Sequence, residues 1–452
     1  MSARGLVIAG TASGVGKTTV TGAIAAALTA RGTRVQPFKA GPDYLDPGHL
    51  TQAAGRECRN LDAWMLSPAV VRELCGRASG GADLALVEGV MGLFDGRSGS
   101  GAEGSTAALA ALLGLPVVLV VDASAAARSV GAIVLGFQHF DPAVTLAGVV
   151  LNRVGSDRHA QLCREAIVEA TGVPVLGALP RESAIAVPER HLGLVPAGEV
   201  DQPAAERVRR LAALGGERID LDALLNLAAP VDAGRPSGLF PAAPPPARVP
   251  IALAADQAFS FYYRDSLELL EAWGADLLPF SPLADAALPP GARAVLLGGG
   301  FPEVFARELS ANVPMLQSLR EASRRGLPVY GECGGLMYLG RTLVDLEGGR
   351  HEMAGLLPAD STMQESRLTL GYREAESCGT PLLPPGERVR GHEFHYSTLT
   401  APPPAATAAY RFAGEPARVD GFRVGSVTGT YLHTHLAARP DLARNLIAAA
   451  AA

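Results

Sequence analysis

The segment that most constrains this chain is a glycine-rich loop close to its start. Residues 10–19 read Gly-Thr-Ala-Ser-Gly-Val-Gly-Lys-Thr-Thr and directly follow the apolar run at residues 6–9. A buried strand, a glycine-rich loop and a helix that begins with Lys-Thr form a phosphate cradle. The backbone N–H groups of the loop and the N-terminus of the helix together bind phosphate. The segment therefore predicts a strand–loop–helix unit of an α/β domain that binds a nucleotide.

The residue types in this loop indicate which groups contact the nucleotide. Lys17 is placed to reach the β- and γ-phosphates, and the hydroxyl of Thr18 is placed to bind Mg²⁺. The strict pattern has glycine where this chain has Thr11, but the neighbouring glycines leave the loop free to turn. A chance glycine-rich turn is the alternative, and the Lys-Thr-Thr in register argues against it. The predicted ATP-binding residues of the loop are Gly10, Thr11, Gly14, Gly16, Lys17, Thr18 and Thr19.

Apolar runs alternate with helical stretches through the first half of the chain. The runs are mainly apolar, as expected for strands that are buried on both faces. Helical stretches such as residues 18–30 lie between the runs. This alternation predicts a parallel sheet with helices on both faces. The predicted strands are residues 5–9, 35–39, 84–88, 117–122, 147–152 and 175–178.

A proline-rich segment divides the chain, and a second α/β pattern follows it. A chain of 452 residues is too long for one typical core, so two domains are expected. We predict a P-loop domain at residues 1–234, a linker at 235–248 and a second α/β domain at 249–452. The predicted strands of the second domain are residues 251–254, 294–297, 327–330 and 429–432.

Carboxylates follow two of the predicted strands and are candidate ligands of Mg²⁺. Asp43 and Asp46 come after the second strand, Glu88 ends the third, and Asp95 follows it. In an open α/β sheet, ligands bind at the carboxyl ends of the strands. Glu88 is the strongest candidate, because the end of a buried strand is a poor place for an idle carboxylate. Asp43 is the next strongest candidate ligand. For each of these acids, the alternative interpretation is a solvent-exposed loop residue that binds no metal.

A cysteine at a predicted strand-to-helix turn is the candidate nucleophile. Cys333 follows a predicted strand and precedes Gly334. Small residues there permit a strained elbow that exposes a nucleophile and leaves backbone N–H groups as oxyanion donors. The glycine-rich loop at residues 298–300 also follows a strand, so we predict an oxyanion hole formed by Gly299 and Gly334.

A cysteine nucleophile needs a base that generates its thiolate. His433 and His435 follow a predicted strand and are the first candidates, with His392 and His395 as alternatives. The other interpretation of Cys333 is a small buried core residue. That interpretation is the one we adopt for the four remaining cysteines.

Charge and cysteine usage exclude several classes of protein. The net charge of −6, with both signs interspersed, gives no basis for a nucleic-acid partner. Five scattered cysteines without metal spacing indicate a reducing cytoplasm. The apolar run at residues 107–121 is interrupted by Gly114 and Pro116 and is shorter than the ~20 residues of a membrane helix. With no signal-peptide pattern either, we expect a cytoplasmic protein with no membrane partner.

The ordered motifs resemble the cobyrinic acid a,c-diamide synthase family, called hydrogenobyrinic acid a,c-diamide synthases when the ring is cobalt-free. The N-terminal half is similar to a dethiobiotin-synthetase-like P-loop domain. The C-terminal half is similar to a class I glutamine amidotransferase domain with a flavodoxin-like fold. The resemblance spans nearly the whole chain, and its most specific segments are residues 37–47, 87–96, 258–263, 298–303, 331–335 and 391–397.

The resemblance implies a carbon–nitrogen ligase of cobalamin biosynthesis with two sites. Cys333, activated by His433, releases ammonia from glutamine through a thioester. The P-loop domain binds ATP and Mg²⁺ and phosphorylates the a- and c-carboxylates of the corrin ring, and ammonia displaces each phosphate. The implied partners are therefore small molecules: a corrin polycarboxylate, glutamine and ATP. A homodimer is also plausible.

The resemblance carries roles to particular residues. The wider amidotransferase class has a glutamate two residues after the catalytic histidine, where this chain has His435. The subtype resembled here also lacks that glutamate, so the group that orients His433 stays open. The matched positions are Thr18, Asp43 and Glu88 for the metal, Lys39, Asp46 and Asp95 for substrate and intermediate, and Asn152 for adenine.

Other activities fit parts of the pattern. Cobyric acid synthase shares both domains, but its counterpart of residues 39–47 is Asn-rich, unlike this chain. The activity of a nickel-sirohydrochlorin a,c-diamide synthase stays an alternative, because no sequence motif distinguishes the tetrapyrrole ring or its metal. A partitioning ATPase usually has a second lysine where this chain has Ala12 and has no use for Cys333. A non-catalytic corrinoid carrier would need a cobalt-binding histidine loop, which the sequence does not present.

Overall fold

The chain forms two compact units, residues Met1–Pro236 and Ser237–Ala452, in a computed structural model. The boundary between them falls inside the predicted linker. None of the described helices is both long and apolar enough to cross a membrane. The structure describes residues 3–97, 101–181, 189–190, 193–194, 203–243, 245, 247–364, 368–414 and 418–452.

The first unit alternates strands and helices along most of its length. The predicted strands are all present, and each observed strand extends the predicted run by at most a few residues at its ends. Its elements are β1 (Arg4–Gly10), α1 (Lys17–Ala30), β2 (Val35–Ala40), α2 (Asp46–Ala54), β3 (Arg59–Leu61), α3 (Pro68–Ala78), β4 (Leu84–Glu88), α4 (Thr106–Leu113), β5 (Val117–Asp122), α5 (Ser129–Phe140), β6 (Leu146–Val154), α6 (Asp157–Thr171), β7 (Val175–Pro180), β8 (Glu189–Arg190), β9 (Gly193–Leu194), α7 (Ala204–Arg218), α8 (Leu221–Leu227) and β10 (Ala229–Pro230).

The main sheet of this unit has the strand order β3-β2-β4-β1-β5-β6-β7, with β10 paired to β1. All neighbours run parallel except β10, which is antiparallel. The chain reverses its direction of winding at β1, whose neighbours are β4 and β5. Ligands bind at such switch points, and the glycine-rich loop begins where β1 ends.

Helix α1 is covered on almost every side, since all residues from Val20 to Leu28 are buried. Its alanine-rich sequence lets neighbours approach closely. A Cβ at Gly215 of α7 would lie 2.3 Å from the backbone oxygen of Ala23, so only glycine fits there. This packing fixes the helix whose first turn forms part of the phosphate cradle.

The second unit contains one mostly parallel sheet and two smaller sheets. The larger sheet has the order β12-β11-β13-β14-β24-β23, and the smaller ones have the orders β16-β15-β17-β20 and β22-β21-β18-β19-β25. A 3₁₀ helix spans Leu436–Ala438. The elements are β11 (Val249–Ala254), α9 (Arg264–Ala272), β12 (Ala275–Phe280), β13 (Ala294–Leu297), α10 (Ala306–Ala311), α11 (Val313–Arg324), β14 (Val329–Glu332), α12 (Gly334–Leu339), β15 (Thr342–Val344), β16 (Arg350–Glu352), β17 (Asp360–Thr362), β18 (Thr369–Ser377), β19 (Arg388–His395), β20 (Thr398–Leu399), β21 (Tyr410–Phe412), β22 (Val419–Asp420), β23 (Phe422–Val424), β24 (Val427–Thr430), β25 (His433–Thr434) and α13 (Leu442–Ala451).

The predicted strand at residues 429–432 is displaced in the structure. Strand β24 ends at Thr430, because the Asp420 carboxylate accepts the N–H groups of Tyr431 (3.2 Å) and Leu432 (3.1 Å) and so ends the ladder. The chain then turns into β25, which pairs with β19 in another sheet. The predicted α/β class is confirmed for both units, while the two smaller sheets are additions that the sequence pattern did not predict.

Candidate active sites

The loop after β1 is shaped by its glycines. Gly14 (φ 74°) and Gly16 (φ 93°) have left-handed backbone conformations that favour glycine. A Cβ at Gly10 would lie 2.7 Å from Cγ2 of Val15, and one at Gly16 would lie 2.1 Å from Nδ2 of Asn152. The tight turn therefore depends on these glycines, while the position of Thr11 accommodates a side chain.

Lys17 lies at the start of α1 and is buried. Its ammonium donates to the backbone oxygens of Met91 (2.5 Å) and Ala12 (3.2 Å). Burial and the nearby charge of Lys39 lower the pKa of Lys17. Lys17 and Lys39 are the two lysines of the whole chain, so every other basic side chain apart from histidine is an arginine.

A partly buried network of hydrogen bonds joins the phosphate loop to the ends of β2 and β4. The Thr18 hydroxyl donates to Oε1 of Glu88 at 2.8 Å, and Glu88 has no exposed surface. The Lys39 ammonium donates to the same Glu88 oxygen at 2.9 Å and to Oδ2 of Asp46 at 2.5 Å. Four side chains predicted separately for metal and substrate therefore meet in one cluster.

The charges in this cluster are strongly coupled. Burial raises the pKa of Glu88 to about 7, although Lys39 opposes the change. Burial alone would lower the pKa of Lys39, but the carboxylates of Asp46 and Glu88 outweigh it and raise the pKa above its usual value. Lys39 is therefore a cation, and the carboxyl groups around it balance its charge.

Asp43 and Asp95 are each held by backbone N–H groups. Oδ1 of Asp43 accepts from Leu45 (2.8 Å) and Asp46 (3.0 Å), and Oδ2 of Asp95 accepts from Gly92 (2.9 Å). Burial and the neighbouring Asp46 charge raise the pKa of Asp43 to about 6. Both side chains are thus oriented by their own loops.

The Glu88 carboxylate suits a cation. Its Oε2 atom is buried and has no hydrogen-bond partner among the described residues. Within the same residues, no group of three or more His, Cys, Asp or Glu side chains is arranged to hold a metal ion. Mg²⁺ is commonly held by one or two carboxylates together with substrate phosphates. Thr18 and Glu88 therefore fit an ion that a bound nucleotide completes.

Asn152 contacts the phosphate loop directly. Its Nδ2 donates to the backbone oxygen of Val15 at 2.8 Å, and its Oδ1 accepts from the N–H of Arg153 at 3.0 Å. Arg153 has a positive φ of 59° and forms an ion pair with Asp122. Asn152 therefore supports the loop in this structure, and the adenine contact stays a prediction.

Cys333 lies at a strained elbow between β14 and α12. Its backbone has φ 51° and ψ −101°, a conformation that a non-glycine residue rarely adopts. Its N–H donates to the Thr430 oxygen at 2.7 Å, which ties the elbow to the end of β24. A Cβ at Gly334 would lie 3.2 Å from the backbone nitrogen of Gly300, so the predicted oxyanion loop lies against the elbow.

The Cys333 thiol is buried, and its Sγ lies 3.9 Å from the backbone oxygen of Phe394, to which it donates. Burial, together with the charge of Glu303, raises the pKa of the thiol well above its usual value, and the Gly334 N–H opposes this in part. Such a thiol is protonated at neutral pH, so a nearby base must take its proton before it can act as a nucleophile.

His433 is buried beside the elbow. A Cβ at Gly299 would lie 2.8 Å from Cε1 of His433, so the predicted oxyanion loop meets the ring. The His392 ring lies edge-on to it at a centroid distance of 4.9 Å. Nδ1 of His433 lies 3.6 Å from Oε2 of Glu332. The elbow, the glycine loop and His433 thus lie close together in the second unit.

The other candidate histidines are placed differently. Burial and the His433 charge hold the pKa of His392 well below its usual value, so this ring is neutral. Nδ1 of His395 lies 2.8 Å from the Ser397 oxygen, and its ring stacks on Tyr431. Nε2 of His395 lies 3.8 Å from Oε1 of Glu393. Neither arrangement by itself excludes His392 or His395.

Sequence reasoning missed Glu332. Its carboxylate ends a buried strand, which is the same signal that singled out Glu88. Glu332 directly precedes Cys333, so a pattern centred on the nucleophile does not single it out as a separate functional residue.

Family models match both halves of the chain. Residues 6–195 match the CobQ/CobB/MinD/ParA nucleotide binding domain, and residues 250–441 match the CobB/CobQ-like glutamine amidotransferase domain. The fold and the two sites therefore define a glutamine amidotransferase joined to a nucleotide-binding domain.

Full-length relatives define the family further. Proteins named cobyrinate a,c-diamide synthase from Dehalococcoides mccartyi strain 195 and from Salmonella typhimurium are each 46% identical, over 98% of this chain and 97% of theirs. A hydrogenobyrinate a,c-diamide synthase from Streptomyces coelicolor is 45% identical over 98% of this chain and 96% of its own. The chain belongs to the cobyrinate a,c-diamide synthase family, and the resemblance inferred from its motifs is confirmed.

Among solved structures, PurLQS from Thermotoga maritima aligns with 45% of this chain and 98% of that chain, at 18% identity and a TM-score of 0.34. This likeness is too weak to support an argument about function.

Proposed function

We propose that this protein is an ATP- and glutamine-dependent ligase that amidates the a- and c-carboxylates of cobyrinic acid or hydrogenobyrinic acid in cobalamin biosynthesis. The observation that carries the proposal is the alignment over 98% of the chain with relatives named for this activity. The two clusters of side chains described above supply the groups that each half of the reaction requires.

Ammonia is made at the cysteine elbow. His433 takes the proton of the Cys333 thiol, and the thiolate attacks the side-chain amide carbon of glutamine. The N–H groups of Gly299 and Gly334 stabilise the negative charge on the amide oxygen. The carbon–nitrogen bond then breaks, His433 returns the proton to the departing nitrogen, and ammonia leaves. Water hydrolyses the remaining thioester to glutamate and restores the thiol.

The phosphate loop performs the second half of the reaction. A corrin carboxylate attacks the γ-phosphorus of ATP, ADP leaves, and an acyl phosphate forms. Ammonia attacks the acyl carbon and phosphate departs, which leaves the amide. Lys17 stabilises charge on the transferred phosphoryl group. Lys39, Asp46 and Asp95 lie at the same end of the sheet, where they position the substrate and the intermediate, and Asn152 contacts the adenine.

The residues that would hold Mg²⁺ are Thr18, Glu88 and Asp43. The ion would supply positive charge that neutralises the β- and γ-phosphate oxygens. Lys39 already neutralises part of the Glu88 charge, so this carboxylate is held in place before the nucleotide arrives.

We further propose that the enzyme acts in the cytoplasm and as a homodimer. All five cysteines are free thiols, which supports a reducing compartment. Sedimentation equilibrium of the full chain tests the dimer, and a single species of monomer mass would contradict it.

Mass spectrometry of the amidated ring tests the proposed reaction. Cobyrinic acid and its cobalt-free counterpart are each incubated with enzyme, ATP, Mg²⁺ and glutamine. We expect OH to be replaced by NH₂ at two side chains, after which the reaction stops, and the faster ring identifies the natural substrate. The Lys17→Ala variant, as a control, should leave both rings unchanged. No mass change on either ring, with glutaminase activity intact, would overturn the proposed substrate and favour another tetrapyrrole such as nickel-sirohydrochlorin.

A further inference from the structure

The position that carries a glutamate in the wider amidotransferase class is filled here by a residue that cannot replace it. His435 is fully buried, and its Nδ1 accepts the N–H of Ala437 at 3.1 Å. Its ring stacks on Tyr263 at a centroid distance of 4.6 Å. Burial lowers the pKa of His435 to about 3, so the ring carries no charge at neutral pH. The negative charge beside His433 must therefore come from elsewhere.

Glu332 supplies a carboxylate at that place from a different strand. Oε2 of Glu332 lies 3.6 Å from Nδ1 of His433, and the two side chains are 14% and 1% exposed. The backbone brings them together, because Glu332 pairs with Thr430 in the parallel ladder of β14 and β24, and β25 begins three residues later. The neighbour of the nucleophile in sequence is thus also the neighbour of the base in space.

The Glu332 carboxylate is held in this orientation by its other oxygen. Oε1 accepts the N–H of Thr434 at 3.2 Å and the hydroxyl of Tyr330 at 3.2 Å. Thr434 directly follows His433, so one carboxylate contacts both the ring of His433 and the backbone next to it. Two donors on Oε1 leave Oε2 directed at the imidazole.

Two other carboxylates of this unit are used elsewhere. Oδ2 of Asp420 accepts from the Thr430 hydroxyl and from the N–H of Leu432 at 3.1 Å. Glu393 is paired with Arg373 and Arg418. These donors hold Asp420 and Glu393 as parts of the framework of this unit.

We propose that Glu332 is the positioning residue for His433 and replaces the glutamate that the wider class carries two residues after its histidine. The inference rests on the proposed glutaminase reaction at Cys333. The carboxylate accepts from Nδ1–H, which leaves Nε2 as the nitrogen that takes the thiol proton. It also stabilises the imidazolium that forms when the proton moves. The 3.6 Å separation shortens to a hydrogen bond when glutamine binds, since such contacts are often long without ligand.

Glutaminase kinetics of Glu332→Gln test the inference. An amide of the same shape removes the charge and the strong acceptor, so kcat should fall about 10²- to 10⁴-fold while KM for glutamine changes less than about threefold. Glu332→Asp keeps the charge and should recover part of the lost kcat. Tyr330→Phe is the matched control, because it removes one donor to Glu332 and keeps the carboxylate; it should stay within about tenfold of the parent.

The outcomes separate the inference from the proposed function. Glutaminase activity of Cys333→Ala equal to the parent would overturn the proposed function itself. Loss of activity in Cys333→Ala, with kcat of Glu332→Gln within about threefold of the parent, would overturn only the role of Glu332. A lowered melting temperature of Glu332→Gln, with kcat and KM changed together and no recovery in Glu332→Asp, would show a structural role and would also overturn it.

Discussion

The hydroxyl of Thr18 donates a 2.8 Å hydrogen bond to Oε1 of Glu88, a residue 70 positions further along the chain. This bond joins the first turn of α1 to the carboxyl end of β4. The other Glu88 oxygen is buried without a partner among the described residues. A hydroxyl and a carboxylate are thereby presented together at the place where the nucleotide phosphates are expected.

Glu88→Gln should lower the affinity of the enzyme for the Mg²⁺ that amidation requires. A neutral amide keeps the shape of the side chain but loses the negative charge. The Mg²⁺ concentration that gives half-maximal rate should therefore rise at least about tenfold relative to the parent. The measurement is a Mg²⁺ titration of ammonium-dependent synthesis at saturating ATP. Glutaminase activity serves as the control and should be unchanged. An unaltered titration would remove Glu88 from the proposed metal ligands.

ATP with Mg²⁺ should protect Lys17 from a lysine-selective acylating reagent. The chain has two lysines, and both are buried. The pKa of Lys39 is raised and that of Lys17 is lowered, so Lys17 should be the lysine that reacts. The lowered pKa of Lys17 increases the neutral amine fraction, so its half-maximal reactivity should fall below pH 10.5. Peptide mass spectrometry with and without ATP measures both effects. Equal labelling in the two samples would contradict the phosphate contact.

Lys17→Arg provides the control for this labelling experiment. The variant keeps the positive charge and removes the reactive amine, so label at that position should disappear. Label that then appears on Lys39 would show that the buried cluster opens in solution, in conflict with its 2% exposure.

Cys333→Ala should abolish amidation that uses glutamine but preserve amidation that uses a high concentration of ammonium. The substitution removes the nucleophile of the second unit and leaves the phosphate loop of the first unit untouched. Initial rates with each nitrogen source give the comparison. The control is Cys378→Ala, a partly exposed cysteine that should retain both rates. Loss of both rates in Cys333→Ala would refute two separable sites.

Glu393→Gln should destabilise the second unit in a pH-dependent manner. Burial alone would raise the pKa of Glu393, but His395, Arg418 and Arg373 outweigh it and lower the pKa to about 2 from 4.5. The folded state therefore favours the ionised form, and its contribution of about 3 kcal/mol is present above pH 4.5 and is lost as pH falls toward 2. The difference in unfolding free energy between parent and variant should shrink over that interval.

Urea unfolding followed by Trp273 fluorescence, between pH 7 and pH 3 in a Trp64→Phe background, measures this difference. Trp273 lies in the second unit and Trp64 in the first. Glu374→Gln is the control, since the Glu374–Arg390 pair is exposed and should contribute less than about 1 kcal/mol at any pH. A difference that stays constant with pH would show that the Glu393 charge is not responsible.

Short-range patterns predicted much of this molecule. The phosphate cradle at Gly16 and Lys17 is formed by a strand, a glycine-rich turn and a helix within about twenty residues. Its pattern can therefore be recognised in the sequence alone. The mainly apolar runs predicted the parallel strands, because strands buried on both faces admit few polar residues. The two smaller sheets were not predicted, because strands such as β19, from Arg388 to His395, are short or mix buried and exposed positions.

The sequence by itself determined the α/β class, the phosphate loop, the cysteine elbow and the family, because each depends on residues close together in the chain. Only the tertiary structure decided that Thr18, Lys39 and Glu88 share one network of hydrogen bonds, and that Glu332 lies near Nδ1 of His433. Those contacts depend on which strands become neighbours and in what register. Pairing of β14 with β24 joins residues about a hundred positions apart, and no local pattern records such a pairing.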